Sequence, residues 1–80
     1  MDGSETGMAG HEAAQRAADA LAVALEEAGF DVGRAFPDLR TTVDQAGSAH
    51  VEIGPMAPDV AGQLAGLLTD AAGRGVTLGD

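Results

Sequence analysis

Residues 39–53 read LRTTVDQAGSAHVEI. Two short runs alternate in polarity on either side of a Gln-Ala-Gly reversal. In the first, Leu39, Thr41 and Val43 alternate with Arg40, Thr42 and Asp44; in the second, Ala49, Val51 and Ile53 alternate with His50 and Glu52. β-Branched side chains at period two fit a half-buried strand. A three-residue hairpin loop commonly closes on a glycine in the left-handed conformation, and Gly47 occupies that place. The spacing therefore predicts an antiparallel hairpin. It sets Asp44 opposite Ser48, Val43 opposite Ala49, Thr42 opposite His50, Thr41 opposite Val51, Arg40 opposite Glu52 and Leu39 opposite Ile53. Every apolar residue then meets an apolar residue or a threonine, and Arg40 meets an opposite charge. A slip of one residue would turn one strand's faces against the other's.

Working outward, a helical pattern precedes the hairpin from about His11 to Ala28. Ala14, Ala18, Leu21, Leu25 and Ala28 recur at spacings of four and three and share one stripe. Glu12, Arg16, Asp19 and Glu26 fall mostly on the other side, and Glu12 with Arg16 makes a favourable pair one turn apart. Gly29 is the expected left-handed stop, with Phe30 packing back on the last turn. Residues 31–38, DVGRAFPD, read as a connection punctuated by Gly33 and Pro37. Its apolar members Val32 and Phe36, with Phe30, are expected to close the bottom of the core.

After the hairpin, Gly54 and Pro55 end the second strand. Pro58 suits a first helical residue, and Asp59 favours the positive end of the helix dipole. This second helix is expected to run to about Ala72, with Val60, Leu64, Leu67, Leu68 and Ala71 as its core stripe and Gly73 as its stop. Residues 1–10, rich in glycine, serine and acid, are expected to form a disordered tail. Residues 75–80 form a C-terminal tail in which Val76 to Leu78 either add a short strand or trail off. The predicted architecture is one α+β domain over residues 11–74, in the order helix–strand–strand–helix. Two helices cover one face of the hairpin.

Composition narrows the function. The chain has 80 residues, a net charge of -9, no cysteine and no lysine. Its four cations, Arg16, Arg34, Arg40 and Arg74, are scattered. Nucleic-acid affinity comes chiefly from neutralising phosphates, and anionic membranes demand the same basic surface. Neither partner is expected. The first ten residues lack the basic and apolar regions of a signal peptide, and no apolar run reaches the ~20 residues of a membrane span. A cytoplasmic protein is the expectation.

Catalytic groups are sparse. His50 and Glu52 share a strand face with Arg40, Thr42 and Asp44, but an exposed polar face is what a hairpin covered on one side shows in any case. His11 and Glu12 read as helix-start residues. Ser4 and Ser48 have no histidine or acid at a suggestive spacing, and Gly73-Arg74-Gly75 reads as a helix stop. No catalytic, metal or cofactor-binding residue is predicted, and the chain is not expected to be an enzyme. Acyl carrier proteins are similarly small and acidic, but their Asp-Ser-Leu helix start is absent.

A domain this small, without disulfides, usually needs help from a partner. Its candidate core is short: Leu21, Leu25, Phe30, Val32, Phe36, Leu39, Val43, Val51, Ile53, Val60, Leu64, Leu67 and Leu68. The second strand has no internal proline and an unpaired edge. We expect two copies to join there into a four-stranded sheet, with Ala49, Val51 and Ile53 as contact residues. Gly62 and Gly66, four apart, with Ala61 and Ala65 beside them, mark a second candidate contact face on the last helix. A pocket near Phe30 and Phe36 is the alternative for a small ligand.

Two resemblances attach to residues 25–68, which begin LEEAGFDV and, after the hairpin, end GPMAPDVAGQLAGLL. The run resembles the β-hairpin docking domains at the ends of nonribosomal peptide synthetase subunits, which place a helix, a "GV/GI" turn, a hairpin and a "TPEL"-like helix start in this order. That resemblance implies acceptance of a short partner peptide beside an exposed strand. Those domains use basic residues for the task; this chain is acidic there and has a longer connection through Phe36 and Pro37. The same stretch also resembles uncharacterised short actinobacterial proteins, which implies no activity.

Overall fold

The computed structural model describes the backbone of residues 3–79 and the side chains of residues 10–79. It contains α1 (Gly3–Glu27), α2 (Val32–Ala35), β1 (Arg40–Val43), β2 (Ala49–Glu52) and α3 (Pro58–Gly73). The class is the expected α+β, with two main helices on a two-stranded antiparallel hairpin whose sheet is left open.

The hairpin has the expected register: Arg40 opposite Glu52, Thr41 opposite Val51, Thr42 opposite His50 and Val43 opposite Ala49. Gly47 has φ 85°, a left-handed value that a Cβ resists, and its N–H donates to the Asp44 carbonyl at 3.0 Å. Asp44 N–H donates to the Ser48 carbonyl at 3.0 Å, which starts the ladder.

α1 begins at Gly3, earlier than the expected start near His11. Residues 3–10, expected to be a disordered tail, carry helical backbone; residues 1 and 2 lie outside the described residues. Once a helix is nucleated, each added residue costs little, and the Ala/Glu-rich run downstream supplies the nucleus. The helix ends as the sequence predicts. Gly29, at φ 109°, donates to Glu26, and Phe30 N–H reaches back to the Leu25 carbonyl, both at 3.0 Å. These are the paired bonds of a Schellman stop.

Two local expectations are corrected. The connection over residues 31–38 holds one helical turn, α2, closed by Phe36 N–H on the Val32 carbonyl at 2.8 Å. α3 ends at Gly73, near the expected place, but the left-handed glycine that caps it is Gly75 instead of Gly73. Gly75 has φ 85°, and the Schellman bonds run from Gly75 N–H to Ala72 and from Val76 N–H to Ala71. The motif wants an apolar residue after its left-handed glycine. Val76 supplies one after Gly75, whereas Arg74 follows Gly73. Beyond this stop, Val76 to Leu78 form no strand.

The core is smaller than the sequence suggests. Among the described residues, the buried hydrophobics are Ala18, Leu25 and Phe36. Phe36, at 1 % exposure, meets Phe30 edge to face with ring centroids 5.3 Å apart and planes at 77°. Four residues expected in the core are exposed: Val43, Val51, Leu67 and Leu68. The reason is unequal cover. α1 lies close against both strands, whereas no residue of α3 is buried and its backbone makes no comparable approach to the hairpin. Val60, Leu64 and Ala71 of α3 are half-buried, so its inner line does face the domain. Leu68 sits off that line at 62 % exposure. The Cα radius of gyration is 15.2 Å, where a compact chain of this length measures about 12 Å.

Candidate interaction surface

The outer edge of β2 follows from the ladder. Residues in an antiparallel pair alternate between exchanging bonds with the partner strand and pointing away from it. Ser48 bonds Asp44 across the hairpin, so His50 and Glu52 also face β1. The N–H and C=O groups of Ala49, Val51 and Ile53 then point outward, and among the described residues no further strand pairs with that edge. Val51, in the middle of this edge, is 37 % exposed. The β1 edge is shorter: Pro37 and the turn in which Leu39 N–H bonds the Phe36 carbonyl sit at its start.

At the far end, Gly54 (φ 77°) ends the strand against Asp38. A Cβ on Gly54 would lie 2.5 Å from the Asp38 Cβ, so only glycine fits. The two open ends of the hairpin lie close together here.

The sheet face away from α1 is polar, as expected. Arg40 pairs with Glu52 at 3.3 Å, and His50 Nε2 lies 3.0 Å from Asp44 Oδ2. Asp44 Oδ1 also accepts from Ser48 N–H at 2.9 Å. The hydrogen bond with His50, then that from Ser48, holds the Asp44 carboxyl below its ordinary value of 3.8. A carboxylate lowered in this way supports the folded hairpin fully above the ordinary range, and that support is lost as the pH falls through the lowered value. All four side chains are well exposed, so these pairs tune the hairpin more than they hold it.

The second predicted face is open. Ala61, Gly62, Ala65 and Gly66 are all exposed, and a Cβ at Gly62 or Gly66 would meet nothing within 4 Å. These glycines therefore do not serve close packing of α3 within the chain. Nor do they adjoin the strand residues closely, because α1 is the near neighbour of both strands.

Between the end of α1 and α3 lies a groove of about 380 Å³ lined by Ala28, Gly29, Phe30, Gln63, Gly66, Leu67 and Asp70. The pocket expected near the two phenylalanines thus reaches Phe30, while Phe36 is sealed in the core. Sequence reasoning did not single out Gln63 or Asp70, which join the lining here. Asp70 is the groove's one charged group.

Among the described residues, no three His, Asp or Glu side chains gather as metal ligands, and no helix is long and apolar enough to cross a membrane. No protein-family model, curated protein or solved structure matches the chain.

Proposed function

We propose that this protein is a non-catalytic protein–protein interaction module that works as a homodimer and acts as an adaptor or regulator. The open edge of β2 carries the reading: an isolated two-stranded sheet is marginal in water, and here its outward backbone groups lie beside an exposed valine. Surface area supports it. The chain exposes 5778 Å², about 1,400 Å² more than a compact monomer of its mass, and a standard interface covers about 800 Å² per partner. Sedimentation at micromolar concentration tests the dimer; a stable, folded monomer there overturns it.

A second reading fits the same edge. A partner peptide could add to β2 as a strand, as the resemblance to docking domains implies. Salt separates the two. Two copies at -9 each repel, so self-association tightens as salt screens them, whereas capture of a basic peptide by this acidic chain weakens. The groove beside Phe30 leaves a small-ligand reading open to one check. A ligand seated there raises the melting temperature with its concentration, without changing the sedimenting mass.

A further inference from the structure

The geometry points to one specific self-association: β2 of two copies pairs antiparallel about a two-fold axis through Val51, which sets His50 of each copy opposite Glu52 of the other. The inference rests on the homodimer proposed above and names its surface and register.

Only outward groups can bond across a new edge, so Ala49, Val51 and Ile53 must face members of the same set in the other copy. A two-fold axis normal to the sheet that opposes at least two members of this set then has three possible centres. An axis at His50 opposes two histidines and sets Glu52 against Ser48. An axis at Glu52 opposes two carboxylates and sets His50 against the partner's Gly54, where left-handed backbone has already ended the strand. The axis at Val51 opposes Val51 to Val51 and Ala49 to Ile53 on the inner face. On the outer face it opposes His50 to the partner's Glu52, and like charges directly opposite are what cross-strand pairing avoids. This register uses the whole strand and places unlike groups together.

The other groups on the outer face agree. Glu52 already pairs with Arg40, and His50 with Asp44, so the seam would continue as Arg40, Glu52, the partner's His50 and the partner's Asp44. The axis normal to the sheet also keeps both α1 helices on one side. The half-covered Val51 of each copy then lies beside its twin, under a continuous helical layer. The β1 edge is the poorer choice, because Pro37 and the turn before Leu39 leave it fewer outward groups.

The natural chain has no cysteine, so single-cysteine variants report position cleanly. His50→Cys and Glu52→Cys both alter exposed side chains, and directly opposed residues of this type have Cα atoms about 4.5 Å apart, within disulfide reach. Under mild oxidant, an equilibrated mixture of the two variants is expected to give the mixed disulfide, while each variant alone stays unlinked. The sedimenting mass of each reduced variant is measured beside it. A dimer that gives no mixed disulfide, or in which His50→Cys links to itself, overturns this register and leaves the homodimer standing. A monomer overturns both. Circular dichroism confirms that each variant is folded before either result is read.

Discussion

α1 and α3 are both amphipathic helices beside the same hairpin, yet they are held very differently. α1 has Ala18 and Leu25 buried and lies close against both strands. α3 is the more uniformly apolar of the two, from Val60 through Leu64, Leu67, Leu68 and Ala71, and none of its residues is buried. Apolar content therefore does not decide burial in this chain; position does. α1 lies across strands only four residues long, and a helix about 10 Å wide takes up most of that small face. α3, arriving last after Gly54 and Pro55, meets the domain along its margin. What remains uncovered of the expected core, Val43 and Val51 on the sheet and Leu67 and Leu68 on α3, is the surface that an association would hide.

The largest effect expected from this contrast is at Phe36. Phe36→Ala empties the most buried site among the described residues, at a cost of about 3–5 kcal/mol, enough to unfold so small a domain. Leu68→Ala on α3 should change the unfolding free energy by no more than about 0.5 kcal/mol when measured below any association concentration. Similar costs at the two positions would break the distinction between the halves. Next comes Gly54→Ala, at the junction between hairpin and α3. The left-handed φ and the overlap with Asp38 together should cost about 2–3 kcal/mol, read from urea unfolding. A silent Gly54→Ala would mean that this junction is not fixed.

The sequence makes these two halves unequally legible. Gly47, the alternation on both sides of it and the Arg40–Glu52 match all favour one register, and that register is found. Three independent local signals agree there. The stop of α3 misleads because two glycines compete, and the deciding signal is the apolar Val76 one place beyond Gly75. The candidate contact residues are half legible. Ala61, Gly62, Ala65, Gly66 and Val51 are exposed, Val51 against its place in the expected core, whereas Ala49 and Ile53 are half-buried. Which apolar stripe gets covered cannot be read locally at all. Periodicity says which way Leu67 and Leu68 point on a helix, but cover depends on where the helix lies across the sheet. That position is set by the length of the strands and the path through Gly54 and Pro55.

Thr41 sharpens the contrast from the α1 side. Among the described residues its Oγ1 is buried with no hydrogen-bond partner, on the face that α1 covers. A buried polar group left unpaired costs about 1–3 kcal/mol. Thr41→Val keeps the shape and the strand preference and removes the cost, so it should raise the unfolding free energy by about 1–2 kcal/mol. An equal gain is not expected at Thr42, its neighbour on the opposite face.

The smallest effect is at the start of α3. Its N-cap is Ala57, in extended backbone (φ -67°, ψ 152°) suited to a capping side chain but supplying none. Ala57→Ser offers a hydroxyl to the free amides of the first turn, worth about 0.5–1 kcal/mol to the helix. Where that gain appears depends on how α3 is tied to the rest. If α3 opens on its own, as its lack of buried residues implies, hydrogen exchange will slow in the amides of α3 and stay unchanged in those of α1. If both helices slow together, the two open as one unit. α3 would then be part of the same cooperative core as α1, and its uncovered leucines would be no more available to a partner than the rest of the surface.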